Sequence, residues 1–179
     1  MLKKNLPAWL IVHESVSAWG TAADINRWHL ERGFQAIGYH YVIGSAYPSA
    51  ASFRLKQPVP DHDGALLLGR DLDGDRDVDE EIGAHCPGYN SNSLGVCLIG
   101  EGGNYSEKQL ATLYAFLASK VRQHGIPVER IRGHCETDNG RRQGKKCPSL
   151  PMDQVRAAVR ARLELEDEAR ATLPAGATR

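Results

Sequence analysis

Apolar residues fall in short runs separated by polar and glycine-rich stretches, and the spacing within the runs switches between strand and helix periods. Residues 9–13, Trp-Leu-Ile-Val-His, form a nearly continuous apolar run that predicts a strand buried on both faces. Thr21 is placed to N-cap a helix in which Ile25, Trp28 and His29 share a face, and Gly33 lies just past its end. Residues 37–43 alternate aromatic and aliphatic side chains and predict a strand with Tyr39 and Tyr41 on one face and His40 on the other. Residues 45–63 are rich in Ser, Ala and Pro and read as a loop, whereas residues 65–70 predict a further strand. The turn-forming residues 83–93 lead into a strand at 94–100, in which Cys97 reads as a small buried hydrophobe. Ser106 to Gln109 is a capping box, with Tyr105 and Leu110 as its hydrophobic staple. Leu110, Leu113, Tyr114, Leu117 and Val121 then recur at helical spacing until Gly125. Residues 126–131 carry the chain to His134, and Pro151 opens a last helix with Val155, Ala158, Val159 and Leu163 on one face. The pattern contains no repeat and predicts one domain over residues 1–165, followed at 166–179 by a charged helix end and a flexible tail.

Composition narrows the class. A chain of 179 residues, 41% hydrophobic and 25% charged, is ordinary for a soluble globular domain. Lys plus Arg equals Asp plus Glu at 22 each, which gives no reason to expect nucleic acid or an anionic membrane as partner. No apolar run approaches the roughly 20 residues of a membrane span. The run at residues 7–12 behind Lys3 and Lys4 is too short for a signal peptide and lacks a small-residue cleavage site, so the protein is expected to stay in the cytoplasm that makes it. In that reducing setting Cys86, Cys97, Cys135 and Cys147 are expected as thiols rather than bridges. The acidic stretch 71–81 invites a calcium-loop reading, but counted from Asp71 the position that requires Gly holds Arg76 and the one that requires Glu holds Ile82. A solvated acidic loop is expected, with loose calcium binding as the alternative.

The candidate chemistry lies elsewhere. His13 at the end of the first strand, His134, and Cys147 thirteen residues later would supply two imidazoles and a thiolate, the kind of set that holds catalytic zinc and leaves one position to water. His13 alone would read as a satisfied core histidine; the two further ligands change that. Lys145 precedes Cys147 by two residues, so in an extended segment it shares the cysteine's face while Lys146 points away. Tyr39 could donate to a developing oxyanion. The reaction inferred is metal-assisted hydrolysis of an amide. Two other readings use the same residues. In one, Cys147 is the nucleophile of a peptidase, although Pro148 follows it and no helix start lowers its pKa. In the other, Cys135 or Cys86 closes a structural zinc shell, although neighbouring side chains at 134 and 135 diverge on an extended strand.

Taken in order, Ile11-Val12-His13, Gly38-Tyr39-His40, Gly83-Ala84-His85, the stretch 92–100, Gly133-His134 and Lys145-Lys146-Cys147-Pro148-Ser149 resemble the zinc-dependent N-acetylmuramoyl-L-alanine amidases. These share the fold of peptidoglycan recognition proteins, and the chain is most similar to small single-domain phage lysins. The resemblance spans roughly residues 9–163. It implies an α/β fold with a mixed central β-sheet flanked by helices. It implies Zn2+ on His13, His134 and Cys147, with Tyr39 and Lys145 as the catalytic pair. His40, His85, Asn90 and Asn92 would border the substrate cleft. The bond cut would join the lactyl group of N-acetylmuramic acid to L-alanine in bacterial peptidoglycan. The enzyme would act as a monomer, made in the host cytoplasm and reaching the wall after release. One such phage amidase also restrains its phage's RNA polymerase, which adds a polymerase contact to the implied partners. Non-catalytic relatives, which only bind peptidoglycan, lose the cysteine that this chain retains as Cys147. The chain departs from the family in its longer acidic insert, and in Cys97, which stands where recycling amidases carry a catalytic Glu.

Overall fold

The apolar run at residues 9–13 becomes β1 (Trp9–Glu14), in which Leu10, Ile11 and Val12 are fully buried. The structure, a computed structural model, describes residues 4–172. After β1 come α1 (Ala22–Glu31), β2 (Tyr41–Ile43), α2 (Ala50–Arg54), β3 (Leu66–Leu68), β4 (Ser93–Leu98), α3 (Glu107–His124), β5 (Ile131–Gly133), α4 (Asp138–Arg142) and α5 (Met152–Thr172). The strands form one five-stranded sheet in the order β3-β2-β4-β1-β5. β1 pairs in parallel with β4 and β5, β2 runs parallel to β4, and β3 closes the other edge antiparallel to β2. The sheet is therefore mixed, and β1 and β4 at its centre read as unbroken apolar runs because both their faces are covered.

Side chains alternate between those faces. Leu10, Val12, Tyr41, Ile43, Leu94, Val96 and Leu98 pack against Leu113, Phe116 and Leu117 of α3 and Val155 and Val159 of α5. The opposite face carries Val42 and Cys97, covered by Ile25 of α1 together with Ile37 and Ile99. His13 belongs to the α1 side of the sheet by the two-residue period. The long helix α3 begins at the expected capping box, in which Ser106 Oγ accepts from Gln109 N at 3.1 Å and Gln109 Oε1 from Ser106 N at 3.1 Å. It ends at Gly125, whose φ of 63° is the left-handed conformation that favours glycine at a helix C-terminus. α1 is capped by Thr21 as expected.

Several expectations need correction. The strand expected at 37–43 begins only at Tyr41; ahead of it the consecutive carbonyls of Tyr39 and His40 accept from Arg70 N and Gly69 N, which breaks the alternating pattern of an antiparallel ladder. The kink turns Tyr39 to the α1 side, so Tyr39 and Tyr41 do not share a face. The 45–63 loop contains α2, capped by Ser49. The acidic stretch is not wholly solvated: Asp79 sits in a short 3-10 turn and is buried. α5 runs to Thr172 and so takes in the charged helix end, where Arg122 of α3 pairs with Glu166 and Asp167. The flexible tail expected at 173–179 lies outside the described residues. All four cysteines are free, and among the described residues no helix is long and apolar enough to cross a membrane.

Candidate metal centre

Three loops and strand ends bring the predicted ligands together. His13 is the fifth residue of β1, 1% exposed. His134 opens a 3-10 turn that follows β5 directly, and Cys147 lies in the irregular segment between α4 and α5. Ligand atoms of these three residues lie within 4.8 Å of one another, with Cys147 Sγ 3.9 Å from His13 Nδ1. Neither Cys135 nor Cys86 joins the cluster; Cys86 Sγ instead donates to Thr137 Oγ1 at 3.6 Å. His134 and Cys135 sit in a turn rather than the extended strand expected from sequence.

Each ligand is held by its surroundings. The His134 turn is fastened by Glu136, whose carboxylate accepts Arg156 of α5 at 2.9 and 3.0 Å and Gly133 N at 3.0 Å. Thr137 Oγ1 donates to His134 O at 2.8 Å and accepts from Gly140 N at 3.0 Å. Position 140 must be glycine, since a Cβ there would meet His134 O at 1.8 Å. Cys147 Sγ accepts the Glu14 amide at 3.1 Å.

A chain of hydrogen bonds fixes the tautomer of His13. The Tyr89 carbonyl can only accept, so the Ser93 hydroxyl donates to it, at 2.7 Å. Ser93 Oγ is then the acceptor for His85 Nε2–H at 3.3 Å. That leaves His85 Nδ1 bare to accept His13 Nε2–H at 3.0 Å, and the lone pair of His13 Nδ1 faces Cys147. The His85 ring fits only because residue 95 is glycine; a Cβ there would lie 2.6 Å from it.

The electrostatics suit a cation. Burial, then the neighbouring His134, holds His13 well below the usual histidine range, and burial does the same for His85. Burial and the Lys145 charge lower His134. All are neutral imidazoles, the form that ligates. Burial pushes the Cys147 thiol up to about 12, so without a cation it is a thiol, contrary to what a nucleophilic cysteine requires. Among the described residues His134 Nε2 is buried with no hydrogen-bond partner, an unsatisfied atom that a metal would satisfy. The donor set therefore fits zinc.

The remaining predicted residues divide. Tyr39 packs against the His13 ring with centroids 5.0 Å apart. Its phenol is pushed well up by burial and by Cys97 and Cys147, so it is a proton donor at any ordinary pH. Lys145 and Lys146 are both exposed, and the Lys145 charge acts on His134 and Cys147. The residues expected to border the substrate make contacts within the protein. His40 is fully buried, accepting from Gly95 N at Nδ1 and donating to Glu81 O from Nε2. His85 is likewise buried and serves His13. Asn90 Oδ1 is taken up by the amides of His85 and Cys86 at 2.9 and 2.8 Å, bracing the loop. Asn92 precedes β4 at its amino end, where its carbonyl accepts from Ala8 and Trp9, whereas His13 pairs with Cys97 near the other end. Glu14 was not singled out by sequence, although a carboxylate closing a buried strand is a signal that it has partners. Its Oε2 accepts Gly102 N at 3.0 Å, and Gly102 borders a cavity of about 420 Å³ lined also by Ser45, Tyr47, Phe53 and Asn104.

Comparisons with known proteins point to one family. The sequence profile of the family described as N-acetylmuramoyl-L-alanine amidase matches residues 3–150. The endolysin of Klebsiella phage KP32 is 31% identical over 136 residues, 72% of this chain and 70% of the relative. The endolysin of Escherichia phage T7 is 28% identical over 136 residues, with the same shares. Among solved structures, the N-acetylmuramoyl-L-alanine amidase LysC from Clostridium intestinale superposes with a TM-score of 0.66 at 21% identity, covering 87% of each chain. Wild-type Drosophila PGRP-LB gives 0.58 at 24% identity over 84% of this chain and 80% of that one. The two structures share the fold, and the profile covers most of the sequence: the chain belongs to the N-acetylmuramoyl-L-alanine amidase family.

Proposed function

We propose that the protein is a phage-type endolysin that hydrolyses the amide between the lactyl group of N-acetylmuramic acid and L-alanine of the peptidoglycan stem, with zinc as cofactor. The observation that carries the cofactor is the convergence of His13, His134 and Cys147 ligand atoms within 4.8 Å, with His134 Nε2 buried and without a hydrogen-bond partner among the described residues. Zinc in such a set supplies a Lewis acid for the scissile carbonyl and makes water nucleophilic near neutral pH. The protein's own groups do the rest. His13 offers Nδ1 because Ser93 and His85 hold its proton on Nε2. Tyr39, a neutral phenol, can donate to the oxyanion that develops from the carbonyl. Lys145 places a positive charge at the same mouth, where it favours that oxyanion and can deliver a proton to the departing amine.

Purified cell walls incubated with the protein should release new L-alanine amino termini. Release should stop in a chelator and resume with added zinc. A zinc-loaded protein that releases none, or that yields only new reducing sugar ends, would overturn the reading.

A further inference from the structure

We infer that Glu14 is the positioning residue for the metal cysteine, tying the loop that carries Cys147 to the end of β1. The inference rests on the zinc reading above and extends it to a side chain outside the ligand set. Cys147 occupies a segment with no regular secondary structure, so strand or helix hydrogen bonds cannot fix its sulfur. Glu14 supplies the fixing from both of its ends. Its main-chain N–H donates to Cys147 Sγ at 3.1 Å. Its carboxylate, 9% exposed as part of the residue, accepts Ser149 Oγ at Oε1, 3.1 Å, two residues beyond the cysteine. At Oε2 it accepts Gly102 N at 3.0 Å and meets the Tyr105 hydroxyl at 3.2 Å, and that hydroxyl lies 2.7 Å from Pro148 O.

One carboxylate thus joins three segments: the end of β1, the 100–105 loop after β4, and residues 147–149. The backbone is moulded to the junction. Ser149 is held at φ 59°, a left-handed conformation unfavourable for a non-glycine residue, and the bond to Glu14 is the contact that its hydroxyl gains there. Gly103 approaches so closely that a Cβ would lie 2.6 Å from Ser149 O, and one at Gly100 would lie 2.5 Å from the Tyr105 ring. A buried carboxylate that holds two donors, Gly102 N and Ser149 Oγ, is costly to leave half-satisfied, which makes the junction rigid. His13 and Glu14 are adjacent on β1, so the strand that presents one ligand also sets the position of another.

The test compares the parent with Glu14→Gln, which keeps the size of the side chain but replaces one acceptor oxygen with a donor. Zinc affinity is read by competition with a chromophoric chelator, the thiolate-to-metal band is read in the cobalt-substituted protein, and the thermal midpoint of each metal-free protein is recorded. Glu14→Gln is expected to bind zinc about tenfold to a hundredfold more weakly, as outer-shell changes do, and to shift or weaken the cobalt band. Should Glu14→Gln fail to fold, Ser149→Ala removes one link alone, and a smaller change in the same direction is expected. Unchanged zinc affinity and an unchanged cobalt band, with only a lowered midpoint, would reduce Glu14 to a loop staple and overturn the inference. A parent that binds no zinc would overturn the cofactor reading with it, whereas a parent that binds zinc and variants that bind it equally well would overturn only the role of Glu14.

Discussion

Lys145 and Lys146 are neighbours, both exposed and equal in charge, and it is the Lys145 charge that lowers His134 and opposes the effect of burial on Cys147. Lys145→Ala should therefore keep the fold and zinc content while turnover falls about 10²–10³-fold, the usual cost of one oxyanion-stabilising donor. Lys146→Ala should turn over close to the parent's rate; the reverse order, measured on a defined muropeptide, would remove Lys145 from the site. The relay behind His13 makes a second prediction. Ser93→Ala deprives His85 Nε2–H of its acceptor and frees the ring to take the other tautomer, so zinc affinity in a chelator competition should fall about tenfold or more. At this scale the clustering of His13, His134 and Cys147 was legible, because imidazole and thiolate are what zinc takes. The relay was not. His85, in a loop of turn residues, resembles an exposed binding residue; its burial depends on Gly95 across the sheet, a dependence between positions ten apart that no local pattern carries.

At the scale of elements, the acidic stretch is anchored at Asp79, where the sequence suggested a solvated loop or loose calcium binding. Asp79 receives Tyr41 Oη at 2.6 Å, His124 Nε2 at 2.7 Å, Gln123 Nε2 at 3.1 Å and Lys120 Nζ at 2.5 Å, the last three from the end of α3. Burial raises its pKa, but the Lys120, Tyr41 and His124 bonds outweigh burial and hold it below the usual carboxylate range. A depressed carboxyl stabilises the fold fully above the unfolded value near 3.9, and that contribution is lost as pH falls through the folded value. Asp79→Asn should then cost about 3 kcal/mol in denaturant unfolding at pH 7, and progressively less as the parent's own carboxyl protonates in acid. A cost that does not change with pH would mean that packing rather than charge holds the turn. α1, α3 and β1 were legible because caps and apolar periods are local. α2, α4 and the early kink before β2 were not: two are five-residue helices with no apolar face to repeat, and the third depends on where residues 69 and 70 return.

For the molecule as a whole, the sequence separation of the ligands matters more than their chemistry. Position 13 lies on a central strand, 134 after an edge strand, and 147 on a loop beyond α4, so an ion bound by all three would crosslink the carboxyl edge of the sheet. Such an ion binds the folded chain and not the scattered ligands of the unfolded one. Free zinc at a hundred times its dissociation constant should therefore stabilise the protein by about 2.7 kcal/mol, or roughly 5–10 °C in thermal midpoint for a chain of this size. Treatment with EDTA should lower the midpoint and abolish wall lysis together, and zinc should restore both. Calcium should restore neither: Asp71, Asp73 and Asp75 come within 4.8 Å of one another, but they stand on the acidic stretch, apart from the three ligands that hold the sheet edge. If the midpoint recovers with zinc while lysis does not, the ion is a structural crosslink. If lysis survives the chelator, the His13–His134–Cys147 cluster is not the catalytic centre.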